Sequence, residues 1–257
     1  MKDEADLYTA FDSDPKPVID FLRWLAAAHH LPSPPHVLDV GCGPGRLLPP
    51  LAELGWHVTG MEPNEAFFIH AKTVAEPLDH VEIHRGGFND ITEVETFDLI
   101  LGINSTFAHV ATPRERADAF ARIFRALRPG GLLVLDLPNL LRILKEWAGT
   151  FEHRSILDER PVTLIRRHGV DYHRAIFTTF EEYIYTGGEG QEVRFHKEHP
   201  YAITSFPELE YLLGEAGFGE IQTFGSFAAR DVEPVGPGRM IVAASKAVTT
   251  SNLLAAP

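Results

Sequence analysis

Along its first half the chain alternates short apolar runs with longer segments of helical period. Val18, Ile19, Phe21, Leu22 and Leu25 fall at helical spacings between Pro17 and His30, and Leu31-Pro32-Ser33-Pro34-Pro35 ends that helix. Val37-Leu38-Asp39-Val40 predicts a strand, 46–54 a helix stopped by Gly55, His57-Val58-Thr59-Gly60-Met61 a second strand, and 65–75 a second helix. Val81-Glu82-Ile83-His84 and 97–103 predict two more strands. Thr112-Pro113 pairs an N-cap with proline at the first helical position, opening a helix to Leu127 that Arg128-Pro129-Gly130-Gly131 stops. A fifth strand follows from Leu132 to Leu137, apolar except for Asp136. Strands written as apolar runs need cover on both faces. The series therefore predicts an α/β fold around a doubly wound parallel sheet.

From Phe151 to Tyr201 the pattern changes, with β-branched and aromatic residues mixed among charged ones. Three half-buried antiparallel strands are expected, at 162–165, 175–185 and 191–195, with a hairpin turn at Thr186-Gly187-Gly188-Glu189-Gly190. Ser205-Phe206-Pro207-Glu208 starts a helix through Ala216, and final strands are expected at 221–224 and 240–244. The insertion runs to about 50 residues where connections usually take ~4–6, so it needs a purpose.

The length of 257 residues suits one large α/β domain or one carrying an insertion. With 23 Lys+Arg against 36 Asp+Glu the formal charge is −13, which offers no electrostatic footprint for polyanions; nucleic acid and anionic membranes are not expected as partners. Cys42 is the single cysteine and cannot form an internal disulfide, and the first six residues are acidic where a secretion signal would be basic and then apolar. No apolar run approaches the ~20 residues of a membrane span, so a cytoplasmic location is expected. The 13 histidines raise metal binding, but His196 and His199 lie three apart in a strand-and-loop segment without a cysteine or carboxylate cluster; no metal is expected.

Val37 to Leu47 carries the most information. Gly41, Gly43 and Gly45 directly follow a strand and open a helix, which lets the backbone turn tightly with its amides against a ligand. A dinucleotide fingerprint would need a third glycine at 46 or 48, where Arg46 and Leu48 stand.

Asp39 with Gly41, Gly43 and Gly45 resembles the first motif of the class I S-adenosylmethionine-dependent methyltransferases. Glu62 stands where that family has an acid on both ribose hydroxyls; a carboxylate at a strand's C-terminal end can accept two bonds from a vicinal diol. Phe97-Asp98-Leu99-Ile100 and Leu127-Arg128-Pro129-Gly130-Gly131 are similar to the family's later motifs, so four motifs in order span residues 37–137. The resemblance implies S-adenosyl-L-methionine as cofactor. It also implies a Rossmann-like seven-stranded sheet of order 3-2-1-4-5-7-6, last strand antiparallel, with an inserted antiparallel β cap. The corresponding divisions are an N-terminal lid segment and helix at 1–35, the core at 36–149 and 202–246, the cap at 150–201, and a loose tail at 247–257.

The resemblance extends to Cys42, Pro63, Asn64, Gly87, Phe88 and Asn104 as cofactor-side residues. It departs at Gly87, where many members have an aspartate on the adenine amino group; Asn89 or Asp90 would have to replace it. Arg46 either approaches the cofactor's carboxylate or is solvated. The loop Gly102 to Val110 is similar to the acceptor-side loop of small-molecule N-methyltransferases, which makes His109 either an acceptor-facing base or a packing histidine. Tyr8, ahead of the first helix, either closes over the sulfonium or packs. Asn139, Tyr172, Arg174, Tyr183 and His199 are expected to line an acceptor pocket under the cap, and the cap's Tyr, Phe and Thr fit a roof or a homodimer interface alike. The expected function is methyl transfer to a small-molecule acceptor, an amine in preference to a hydroxyl. The alternatives are an O-methyltransferase, or a catalytically silent cofactor-binding member serving as a protein partner.

Overall fold

A computed structural model describes residues 4–142, 149–187 and 190–248. The expected loose tail falls outside that set from residue 249 on, as do Gly188 and Glu189 of the expected hairpin turn. An N-terminal segment forms α1 (Glu4–Thr9) and α2 (Lys16–Ala28). There follow β1 (His36–Val40), α3 (Leu48–Glu53), β2 (His57–Met61), α4 (Glu65–Ala75), β3 (Val81–His84), β4 (Phe97–Gly102), α5 (Pro113–Ala126) and β5 (Leu127–Leu137). The chain then leaves the core for β6 (Phe151–Leu157), β7 (Arg160–Asp171), β8 (Ile176–Thr186) and β9 (Glu192–Ala202), and returns through α6 (Phe206–Ala216), β10 (Ile221–Phe224) and β11 (Met240–Ser245).

The core sheet has the order β10-β11-β5-β4-β1-β2-β3, with β11 antiparallel to β5, which is the expected doubly wound arrangement. Every residue of β4 is buried, because helices cover both faces. Ile100 faces a cluster with Phe107, Phe120, Ile123, Leu209 and Leu213, while Leu99 and Leu101 face one with Phe21, Leu22, Leu25, Leu48 and Leu51. Capping follows the sequence signals: Thr112 and Glu115 form a reciprocal capping box on α5, and the Asn64 side chain caps α4 by accepting from the Phe67 N–H.

Several elements differ from expectation: β5 starts at Leu127, inside the expected turn, and β7 and β9 run to Asp171 and Ala202, past the expected 165 and 195. The helix expected from Arg46 begins at Leu48, since Gly45 is left-handed at φ +97° and Pro49 and Pro50, which lack N–H groups, belong in a first turn. β6 was absent from the hydrophobic pattern because its residues are mostly exposed; it forms by pairing along β7, from Phe151↔Arg166 to Leu157↔Arg160. α1 is too short to announce itself by period. It is helical because Leu7 is buried against Val162, Leu164, Tyr183 and Tyr185 of the four-stranded sheet β6-β7-β8-β9, which ties the N-terminus to the cap.

Candidate functional site

A cavity of about 1130 Å3 opens between the C-terminal ends of the core strands and the cap. Its floor is the glycine turn, where Gly41 and Gly43 are left-handed at φ +70° and +59° and the Gly41 and Cys42 N–H groups donate to the Met61 carbonyl. A Cβ on Gly43 would meet nothing within 4 Å, so the absent side chain leaves room against the amides. Burial drives the Cys42 thiol upward, so no thiolate forms there.

Two carboxylates face this turn. Glu62 is 5% exposed and accepts from Gly43 N (2.9 Å) through Oε2 and from Asn64 N (2.7 Å) through Oε1. Each oxygen keeps a second lone pair for an outside donor. Burial raises its pKa, opposed by those two backbone bonds. Asp39 also lines the cavity, and its buried Oδ2 has no hydrogen-bond partner in the protein. Burial, with the Glu62 charge adding and Arg46 opposing, pushes it up to about 7. An unpartnered buried acceptor on the cavity wall can take a donor from a ligand. Replacing Glu62 by Ala is expected to weaken S-adenosylhomocysteine binding by ~1–3 kcal/mol, about 5- to 150-fold, in isothermal titration; an unchanged dissociation constant would remove Glu62 from the site.

α1 crosses the cavity as a strap. Glu4 forms an ion pair with Lys197 of the cap (2.7 Å) and accepts from Asn64 Nδ2 (3.2 Å). Arg46 donates to the Ser13 carbonyl (3.0 Å), so it holds the strap's C-terminal end and is not solvated. Tyr8 packs on Phe67 with ring centroids 5.1 Å apart, and its hydroxyl accepts from Asn104 Nδ2 (2.7 Å). Burial, reinforced by Asp12, pushes Tyr8 up to about 12, so it remains a neutral phenol.

Opposite the strap, His109 ends a 3₁₀ turn at Thr106–His109. Its Nδ1 lies 3.0 Å from the Pro200 carbonyl, which can only accept, so Nδ1 carries the hydrogen and Nε2 of the neutral ring keeps its lone pair. Burial lowers its pKa below the ordinary 6.5, helped by His199. Beneath it Glu181 accepts from Arg166 Nε (2.7 Å), the Tyr183 hydroxyl (2.8 Å) and His199 Nε2 (3.2 Å). Burial alone would raise Glu181, but the His199 bond, the Arg166 charge and the Tyr183 bond outweigh it and bring the carboxyl down to about 2.

The cavity wall includes Tyr8, Asp39, Gly41, Cys42, Gly43, Glu62, Pro63, Asn64, Gly87, Phe88, Asn104, His109 and His199. Five expected residues lie elsewhere. A Cβ on Gly45 would meet Leu48, Ala71 and Val74, which makes it a helix-packing glycine. Asn139 is drawn to the Gly236 carbonyl (2.7 Å). Tyr172, 79% exposed, sits between β7 and β8 with Arg174, whose guanidinium pairs with Asp171 (3.8 Å). Tyr183 is buried behind the wall, where it orients Glu181. At the Gly87 departure, Asn89 and Asp90 line the cavity, and Asp90 accepts from Gly87 N (2.8 Å). The sequence reading missed Arg166 and Glu181, although a signal existed. Glu181 alternates with Phe177, Tyr183 and Tyr185 on the inward face of β8, and a charge at such a position needs a buried partner.

Comparison with known proteins agrees with this fold. Residues 37–131 match a family described as a methyltransferase domain. A ubiquinone biosynthesis O-methyltransferase of Maricaulis maris (strain MCS10) is 33% identical over 109 residues, 40% of each chain. Among solved structures, an S-adenosylmethionine-dependent methyltransferase from Clostridium acetobutylicum ATCC 824 aligns with a TM-score of 0.77 at 15% identity, over 92% of this chain and 93% of that one. The sugar N-methyltransferase KedS8 from Streptoalloteichus sp ATCC 53650 aligns with a TM-score of 0.75 at 20% identity, over 93% of this chain and 91% of that one.

Proposed function

From the premise that this chain is an S-adenosylmethionine-dependent enzyme carrying a methyltransferase domain on the class I fold, we propose that it methylates the nitrogen of a small-molecule amine. The residues present fit that cofactor. Gly43 leaves open space beside its backbone, Glu62 keeps lone pairs for a diol, and the unpartnered Asp39 oxygen suits a cationic donor. When bound, the cofactor supplies an electrophilic methyl group on a cationic sulfur.

The observation that carries the reading is the bare Nε2 of His109 on the wall of the cavity between strap and cap. A primary alkylamine is mostly ammonium at neutral pH and must lose a proton before its lone pair can attack. His109, neutral and oriented by Pro200, accepts that proton, while strap and cap hold the acceptor in line. The enclosure supports a small acceptor over a polymer. The acid-rich donor side, with Glu4, Asp12, Asp39 and Glu62, supports cationic ligands.

The test is incubation with methyl-labelled cofactor and matched amines and phenols, followed by mass spectrometry. Label on amines is the expected result; label on phenols alone would replace the reading with O-methylation. The outer face of the cap, where Ile156 and Phe180 are exposed beside charged strand neighbours, is in our reading where a second copy docks. Sedimentation should then show a dimer, and a monomer at tens of micromolar would rule it out.

A further inference from the structure

Asp136 is the polar exception in the apolar run Leu132 to Leu137, and it is 2% exposed. It does not line the cavity, yet it is bonded from two directions. The loop leaving β4 places Asn104 at φ +59° and Ser105 at φ +70°, two consecutive side-chain-bearing residues in the left-handed region. Such a pair persists only where its surroundings over-determine it. Here both backbone N–H groups end on Asp136, Asn104 N on its Oδ2 (3.0 Å) and Ser105 N on its carbonyl (2.8 Å). From the far side Arg239, just before β11, donates Nε to Oδ1 (2.5 Å) and a terminal nitrogen to Oδ2 (2.7 Å). This fork fixes the carboxylate's plane.

The strained turn has one conspicuous product. It aims the Asn104 side chain across the cavity, where Nδ2 meets the Tyr8 hydroxyl of the strap at 2.7 Å. We propose that Arg239 and Asp136 are positioning residues for methyl transfer: their ion pair holds the Asn104-Ser105 turn so that Asn104 fixes the Tyr8 hydroxyl over the donor end of the cavity. The proposal rests on the reading above, in which strap and cavity serve that reaction. A purely structural pair would need to tie β11 to β5, which their ladder, Met240↔Leu137 through Ser245↔Leu132, already does.

The experiment uses the full-length protein, without ligand, carrying tyrosine labelled with 13C at Cζ, whose chemical shift reports the hydrogen bond at each hydroxyl. Of the six tyrosines, Tyr8 is assigned by the loss of its resonance in Tyr8→Phe. Arg239→Met is expected to move the Tyr8 resonance to its position in Asn104→Ala, with no further movement in the double variant, while the other tyrosines stay in place. Arg239→Lys, which keeps the charge but not the fork, should fall between wild type and Arg239→Met. A Tyr8 resonance unmoved in Arg239→Met would overturn the proposal, whatever happens to the melting temperature. Should Arg239→Met fail to fold, Arg239→Gln and Arg239→Lys supply the same reading, and wild-type shifts in both would overturn it equally. Absence of S-adenosylhomocysteine binding by wild-type protein would instead strike the functional reading, which the unliganded spectra do not involve.

Discussion

Replacing His109 by glutamine should lower kcat/KM by about 10²- to 10⁴-fold for an acceptor that must give up a proton. Glutamine keeps a polar group of similar reach but cannot take a proton at neutral pH. The pH profile carries the sharper signature. Because burial and His199 lower the His109 pKa, its neutral form persists below pH 6.5. The wild-type rate should therefore be insensitive to His109 ionisation above pH 6.5 and fall as pH drops through the lowered value. In His109→Gln that acid limb should vanish together with most of the rate. Steady-state kinetics from pH 5 to 9 would check both. An unchanged rate with an amine that is protonated in solution would leave His109 as a packing residue on Tyr201, whose ring lies 4.7 Å away.

Gly41→Ala should abolish cofactor binding and destabilise the protein by roughly 2–6 kcal/mol, from a left-handed side chain added to overpacking. The backbone there is at φ +70°, and an added Cβ would lie 1.9 Å from Thr106 Cγ2. Thr106 cannot easily turn away, because its hydroxyl donates to the Ile103 carbonyl (2.6 Å). Relief therefore requires moving the glycine turn or the loop that carries Asn104, and both line the cavity. Thermal unfolding and isothermal titration with S-adenosylhomocysteine would measure the two effects. Adding Thr106→Ser removes the clashing methyl but not the backbone strain, so the double variant should recover only part of the stability. Full recovery would show that the left-handed conformation matters little at Gly41.

The glycine-turn half of the cavity, where the cofactor is proposed to sit, was legible apart from Gly45 because it depends on local chemistry. A glycine can be named as left-handed or closely approached from its place after a strand, and Glu62 could be placed from the strand end before it. The acceptor half was not. Tyr172 and Arg174 were grouped with the pocket for their chemistry, but they occupy the turn between β7 and β8. Glu181 and Arg166 face inward together because of where β7 and β8 pair, at Arg166↔Glu181, and a register shift of one residue would have put them on opposite faces.

By itself the sequence determined the alternation of strands and helices in the core, though not α1 or β6, the two-sided burial of the parallel strands, the glycine turn and the acid that answers it. These follow from periodicity, backbone conformation and hydrogen-bonding capacity, which act over a few residues. Only the tertiary structure decided that Glu4 of the strap pairs with Lys197 of the cap, that the Pro200 carbonyl sets the His109 tautomer, and that Asp136 answers to Arg239. Each of these joins residues roughly 90 to 190 positions apart, where contact depends on how two sheets and a strap pack together and no local preference encodes it.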